Sequence, residues 1–152
     1  MYDRILVPTD GSDGIEPVIE HALELAAVHN ATVHGLYVLD TATMSRMPMD
    51  TSWEAVSGML REEAEQALTE IEELAGEAVT VETTLVEGAP SREIVARAEN
   101  AAVDLIVMGT HGRGGLNRLL LGSVAERVIR SAPVPVLTYR VGEPPEVRSP
   151  EE

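Results

Sequence analysis

Cysteine, lysine and phenylalanine are all missing from this chain of 152 residues. Without cysteine there are no disulfides, no thiolate metal sites and no cysteine nucleophile. Without lysine there is no phosphate-loop lysine, no Schiff base and no lysine general base. All 11 basic side chains are therefore arginine. Aromatic residues come to one Trp and three Tyr, so the 44% of hydrophobic residues must build an aliphatic core. Long apolar runs are lacking too: none nears the roughly 20 residues that a membrane-crossing helix needs. No basic stretch and signal core precede the first apolar run, Ile5-Leu6-Val7. The expectation is a cytoplasmic protein with no membrane partner.

Positive charge is scarce: 26 acidic residues leave a formal net charge of −15. Such a surface repels nucleic acid and anionic membranes. The missing lysine and the excess of Glu fit adaptation to high salt, where charge is screened. They fit an ordinary acidic cytosolic protein equally well.

Apolar runs alternate with amphipathic ones from end to end. Residues 2–8, 32–39, 79–86, 103–108 and 134–139 read as strands. Ile15, Val18, Ile19, Ala22, Leu23 and Ala26 share one helical face, and Asp13 with Glu16 has capping-box spacing. A long helix over 53–75 carries the stripe Leu60, Ala64, Ala67, Leu68, Ile71, Leu74 and Ala75, with Glu62, Glu63, Glu65, Glu70, Glu72 and Glu73 as its solvated face. Pro90 opens a helix bearing Ile94, Val95 and Ala98, and a short helix covers 123–130. Residues 40–52 read as a polar loop, either a plain connection or a cover for a ligand.

Strands alternating with helices argue for an α/β fold: one doubly wound, Rossmann-like parallel sheet with helices on both faces. It occupies residues 1–140 as a single domain. Residues 141–152 form an acidic, Pro-rich tail whose composition predicts disorder. Ligands of such sheets sit beyond the strand C-termini, where strand order reverses. That directs attention to the loops after the first and fourth strands.

Both loops are unusual. The first reads Pro8-Thr9-Asp10-Gly11-Ser12-Asp13-Gly14. The second reads Gly109-Thr110-His111-Gly112-Arg113-Gly114-Gly115 and continues to Gly122-Ser123. Glycine lets backbone approach a ligand closely, and free amides leading into a helix start favour anions. Arg113, Arg118, Arg127 and Arg130 gather positive charge around the second loop. His111 lies within it and is able to hydrogen-bond a phosphate. His21, His29 and His34 have no metal-ligand spacing and read as surface or packing residues.

Gly109, Gly112, Gly122 and Ser123 follow the pattern glycine, two residues, glycine, nine residues, glycine, then serine or threonine. Together with Ile5-Leu6-Val7-Pro8-Thr9-Asp10-Gly11-Ser12 and Ala132-Pro133-Val134-Pro135-Val136-Leu137, this resembles the universal stress protein family over roughly residues 2–140. The resemblance implies a five-stranded sheet of order 3-2-1-4-5, with ATP, accompanied by Mg²⁺, between the first and fourth strands. By position it implies that Asp10 meets the ribose and that Pro8 and Thr9 line the base pocket. Val38, ending the second strand, offers backbone groups to adenine, and Met108 and Gly109 floor the site. Gly112, Gly122, Ser123 and Val124 hold the phosphates; the chemistry of the loop itself, not the resemblance, adds Arg113 and His111 as phosphate contacts. Every motif position is retained, which places the chain with the ATP-binding branch. The resemblance also implies a stress-response role and a homodimer joined through strand 134–139, with Pro133 and Pro135 arguing against edge pairing.

Simpler roles stand beside these. Ser123 and Glu126 have capping-box spacing, so Ser123 can be a helix cap. Asp10 can be a turn former. A Walker loop is excluded by the missing lysine. The dinucleotide fingerprint fails after the first strand, as does the Ser-Gly-Gly-x-Asp-Ser loop of ATP pyrophosphatases. Three functions remain: a nucleotide-dependent regulatory module acting on a protein partner, a slow Mg²⁺-dependent ATP hydrolase using Asp10 and Asp13, and a dimeric adaptor with an unfilled pocket. No water-activating base is evident, which favours the regulatory module.

Overall fold

Ile5, Leu6 and Val7 are fully buried, as are Ile106 and Val107. A run without a polar side needs cover on both faces, which places it at the centre of a parallel sheet. The structure, a computed structural model, describes residues 1–46, 53–111 and 121–141. Its elements are β1 (Arg4–Pro8), α1 (Glu16–His29), β2 (Thr32–Asp40), α2 (Thr41–Ser45), α3 (Trp53–Ala75), β3 (Val81–Gly88), α4 (Pro90–Asn100), β4 (Leu105–Gly109), α5 (Ser123–Ser131) and β5 (Val136–Tyr139). The strands form a five-stranded sheet of order β3-β2-β1-β4-β5, with every pairing parallel. Fold class and strand order are those expected.

Side chains alternate across the sheet. Ile5, Val7 and Val33 pack with Ile19 of α1 and Ile71 of α3. Leu6, Leu36 and Ile106 pack with Ile94 of α4 and Val128 of α5. The change of helix face falls between β1 and β4, where strand order reverses. Glu62, Glu63, Glu65, Glu72 and Glu73 of α3 are exposed, and Glu70 is half-buried. Among the described residues no helix is long and apolar enough to cross a membrane.

Local details depart from expectation. The Asp13–Glu16 capping box does not form. Helix α1 has Ile15 as its N-cap, without a side-chain cap bond. A turn closed by Ile15 N–H to Ser12 C=O (3.2 Å) precedes it, and Pro17 in the first turn has no N–H to satisfy. Asp13 therefore stands too early to cap. Residues 41–45, read as loop, form the short helix α2, and residues 47–52 lie outside the described part. Strand β5 starts at Val136, because Pro135 can enter the ladder only as an acceptor, from Ile106 N–H (3.0 Å). Of the tail, Val141 is described and packs against the core, and residues 142–152 are outside.

Candidate functional site

Strand β2 outruns its neighbour. It pairs with β1 from Arg4↔Thr32 to Pro8↔Leu36, then continues to Asp40 against β3 alone. The last bond across is Thr9 N–H to Leu36 C=O, at 2.9 Å. Backbone groups alternate in direction along a strand. The N–H and C=O of Val38 therefore face the β1 side, as those of Leu36 do, but beyond the end of β1. Val38 lies two residues before the strand ends, not at its end as expected.

A cavity of about 460 Å³ opens there. Its walls include Pro8, Thr9, Asp10, Val38, Met108, Gly109, His111, Gly122, Ser123 and Val124. The residues assigned to ATP within the described part thus meet in one place, whereas Asp13, Arg127 and Arg130 are not among its walls. Gly112 and Arg113 lie outside the described residues, as does Arg118.

The loop after β1 is shaped by its own side chains. Thr9 is 6% exposed, and its hydroxyl accepts Gly11 N–H (3.2 Å). Asp10 Oδ1 accepts Ser12 N–H (3.0 Å), so Asp10 does form a turn. Gly11 completes it at φ 72°, a conformation that favours glycine. A carboxylate accepts several hydrogen bonds. The turn therefore sets the carboxylate at the cavity wall without precluding a sugar hydroxyl.

On the opposite wall stands the start of α5. Its N-cap is Gly122, extended and without a side-chain cap, so the Ser123–Glu126 capping box does not form. Ser123 comes one residue too late to cap. The first intrahelical bond is Glu126 N–H to Gly122 C=O (2.9 Å). The amides of Ser123, Val124 and Ala125 therefore have no helical acceptor, and all three residues line the cavity at the positive end of the helix. Gly122 does not offer its own amide: that N–H donates to Thr110 C=O at 2.8 Å. Glycine is needed there for close approach, since a Cβ would sit 2.9 Å from Thr110 O.

Met44 of α2, Leu60 of α3 and Pro90 and Ile94 of α4 complete the apolar walls. Sequence reasoning read Leu60 and Ile94 only as core positions. Both lie in the first half of helices that start at the carboxyl edge, which does not tell a wall residue from a core one. The other histidines take packing roles. His29 Nδ1 accepts Tyr2 N–H (3.3 Å), and the His21 ring lies 5.4 Å from that of Tyr139. His34 is 5% exposed, with Nε2 2.9 Å from Thr84 Oγ1 and Nδ1 4.0 Å from Glu82 Oε2, without a hydrogen-bond partner among the described residues. Burial lowers its pKa below 6.5; Arg97 and Arg4 push the same way and Glu82 opposes them. Arg130 pairs with Glu126 on the exposed face of α5 (2.8 Å).

Comparison with known proteins gives the family and the fold. The universal stress protein family matches residues 1–140. Universal stress protein MJ0531 of Methanocaldococcus jannaschii is 45% identical over 141 residues, covering 92% of this chain and 83% of its own. The solved structure of MJ0577, from the same organism, has a TM-score of 0.82 at 32% identity, covering 95% of this chain and 99% of that one. A universal stress protein solved in complex with cAMP has a TM-score of 0.70 at 26% identity, covering 93% and 99%. One from Archaeoglobus fulgidus in complex with dAMP has 0.66 at 26% identity, covering 90% and 97%. With fold and relatives in accord, the chain belongs to the universal stress protein family.

Proposed function

We propose that the crevice binds ATP and that the protein is a nucleotide-dependent regulatory module. The observation that carries this is the pair of unmet backbone groups at its two ends. At one end, Val38 presents N–H and C=O side by side. Adenine offers the complement, an acceptor at N1 and a donor at its amino group. Guanine offers a donor at N1 and an acceptor at O6, so both contacts would be mismatched and left unpaired. At the other end, the amides of Ser123, Val124 and Ala125 suit phosphate oxygens. Asp10 stands on the wall between them and meets the ribose. Relatives solved with cAMP and dAMP support an adenine nucleotide as the ligand class. Mg²⁺ enters with the phosphates, with Asp10 on the cavity wall and Asp13 in the same loop as its acidic neighbours.

Regulation is favoured over turnover by the state of the wall carboxylates. Asp10 accepts Ser12 N–H and Asp40 accepts Ala42 N–H (3.0 Å each), so both hold up local backbone. On this reading Asp10 is engaged by the ribose and Asp40 ends β2 at the adenine end, which leaves no wall carboxylate beside the phosphates to activate a water. The protein acts as a dimer through β5, whose Val136 and Thr138 turn their backbone groups away from β4. A nucleotide-dependent surface then engages a protein partner.

Thermal unfolding with ATP, ADP, AMP and GTP tests the binding reading. A ligand at 100 times its dissociation constant stabilises by about 2.7 kcal/mol. ATP should raise the midpoint and GTP should not. Equal stabilisation by GTP would overturn the role of Val38, and no shift with any nucleotide would overturn the site.

A further inference from the structure

Two glycines beside the crevice have no conformational reason to be glycine. Gly14, in the loop after β1, and Gly109, ending β4, both lie outside the left-handed region. One residue obstructs a side chain at each. A methyl group on Gly14 would overlap Val141 Cγ1, and one on Gly109 would sit 2.7 Å from Val141 Cγ2. Val141 is half-buried against the core, just beyond the family match, which ends at residue 140. Its N–H donates to Thr110 Oγ1 (3.1 Å), and that oxygen is 3.0 Å from His111 Nδ1. Thr110 is tied to the end of β5 a second time, through its N–H to Tyr139 C=O (3.0 Å). A hydroxyl has one proton and two lone pairs. Accepting from Val141 leaves its proton and a second lone pair for the ring, as donor to a bare Nδ1 or acceptor from an Nδ1–H.

We propose that Val141 is a positioning residue for the nucleotide site, although it does not line the cavity. Its side chain is a knob that locks the loop after β1 to the end of β4. Its amide, through Thr110, holds His111 with the ring proton on Nε2, a donor suited to a phosphate oxygen. This rests on the nucleotide reading above, yet the His111 tautomer is a property of the ligand-free chain.

The test combines a double-mutant cycle with ¹⁵N NMR of the imidazole. Gly14→Ala overpacks the knob and should weaken ATP binding about tenfold. In the Val141→Ala background the same change should cost less than about twofold, because the obstructing methyl is gone. Equal losses in both backgrounds overturn the knob. Should Gly14→Ala not fold, recovery of folding by Val141→Ala reads the same contact, and failure to recover overturns it. Thr110→Val keeps the shape and removes the hydroxyl. It should weaken ATP about fivefold, leave adenosine unchanged and abolish the Nε2–H pattern of His111. Equal weakening for both ligands, or an Nδ1–H pattern in the ligand-free wild type, overturns the relay. A wild type that shows the Nε2–H pattern but binds no ATP refutes the nucleotide reading and leaves the His111 arrangement standing.

Discussion

The junction between Gly122 and Thr110 is the most exacting contact at the site, and one methyl group probes it. In Gly122→Ala the new Cβ falls 2.9 Å from Thr110 O and 3.4 Å from His111 Cα. Both are backbone atoms, so no rotamer change relieves the contact and the start of α5 must retreat. Overpacking of this kind costs about 1–3 kcal/mol. Stretching the 2.8 Å bond from Gly122 N–H to Thr110 C=O adds up to about 1 kcal/mol. Reduced freedom of the unfolded chain returns about 0.5–1 kcal/mol. The net is a loss of about 2 kcal/mol, and at about 2–4 °C per kcal/mol for a domain of this size the midpoint should fall by about 4–8 °C. The retreat also carries the amides of Ser123, Val124 and Ala125 away from the crevice. Losing one charge-assisted bond there should weaken ATP at least about tenfold. Gly58→Ala is the control, since Gly58 lies inside α3 with nothing within 4 Å of the added methyl. It should gain up to about 1 kcal/mol from helix propensity. Calorimetric melting and ATP titration read both variants. A Gly122→Ala protein that melts and binds as the wild type does would refute the close-approach role.

Two further outcomes follow from register and burial. The carbonyls of Pro135 and Tyr139 accept bonds from Ile106 and Thr110, so the backbone of Leu137 also faces β4 while Val136 and Thr138 face outward. Thr138→Pro should therefore dissociate a β5-joined dimer in sedimentation without opening the sheet, and a wild-type monomer would refute that interface. The pKa of His34 is lowered, first by burial and then by Arg97 and Arg4 against Glu82. Below about pH 6.5 the unfolded histidine takes up a proton that the folded one resists. Its contribution is thus complete above that pH and is lost as pH falls through the lowered folded value. His34→Leu should flatten the acid side of the stability profile, and an unchanged slope would assign the loss to other groups.

The fold was legible because burial on both faces leaves a plain trace. Ile5-Leu6-Val7 and Leu105-Ile106-Val107 have no polar alternation, and they are β1 at the centre of the sheet and β4 beside it. Helix ends were legible only in part. Asp13-x-x-Glu16 and Ser123-x-x-Glu126 both have the spacing of a capping box and neither makes one. Spacing fixes which side chains can reach one another only once the first helical residue is known. At α1 the turn before Pro17 moves that residue later, and at α5 an extended Gly122 moves it earlier. Helix α2, with 5 residues, is too short to carry a period. Its Met44 and the Leu60 of α3 could not be told from core, because an apolar wall and an apolar core select the same side chains.

The glycines show where a sequence motif stops being informative. Gly11, Gly109 and Gly122 look alike in the chain, and each is glycine for a different reason. Gly11 adopts a left-handed conformation so that Asp10 and Thr9 can close their turn. Gly109 leaves a hollow that Val141 fills from 32 positions further along the chain. Gly122 brings two backbones together, and in doing so it commits the amide that the motif would have assigned to phosphate. The amides proposed for phosphate are thereby displaced by one residue, onto Ser123, Val124 and Ala125, which need no particular side chain to present an N–H. A pattern of side chains cannot record a function carried by the main chain. It records the residues that let the main chain reach its position, and those are the ones whose substitution should be felt first.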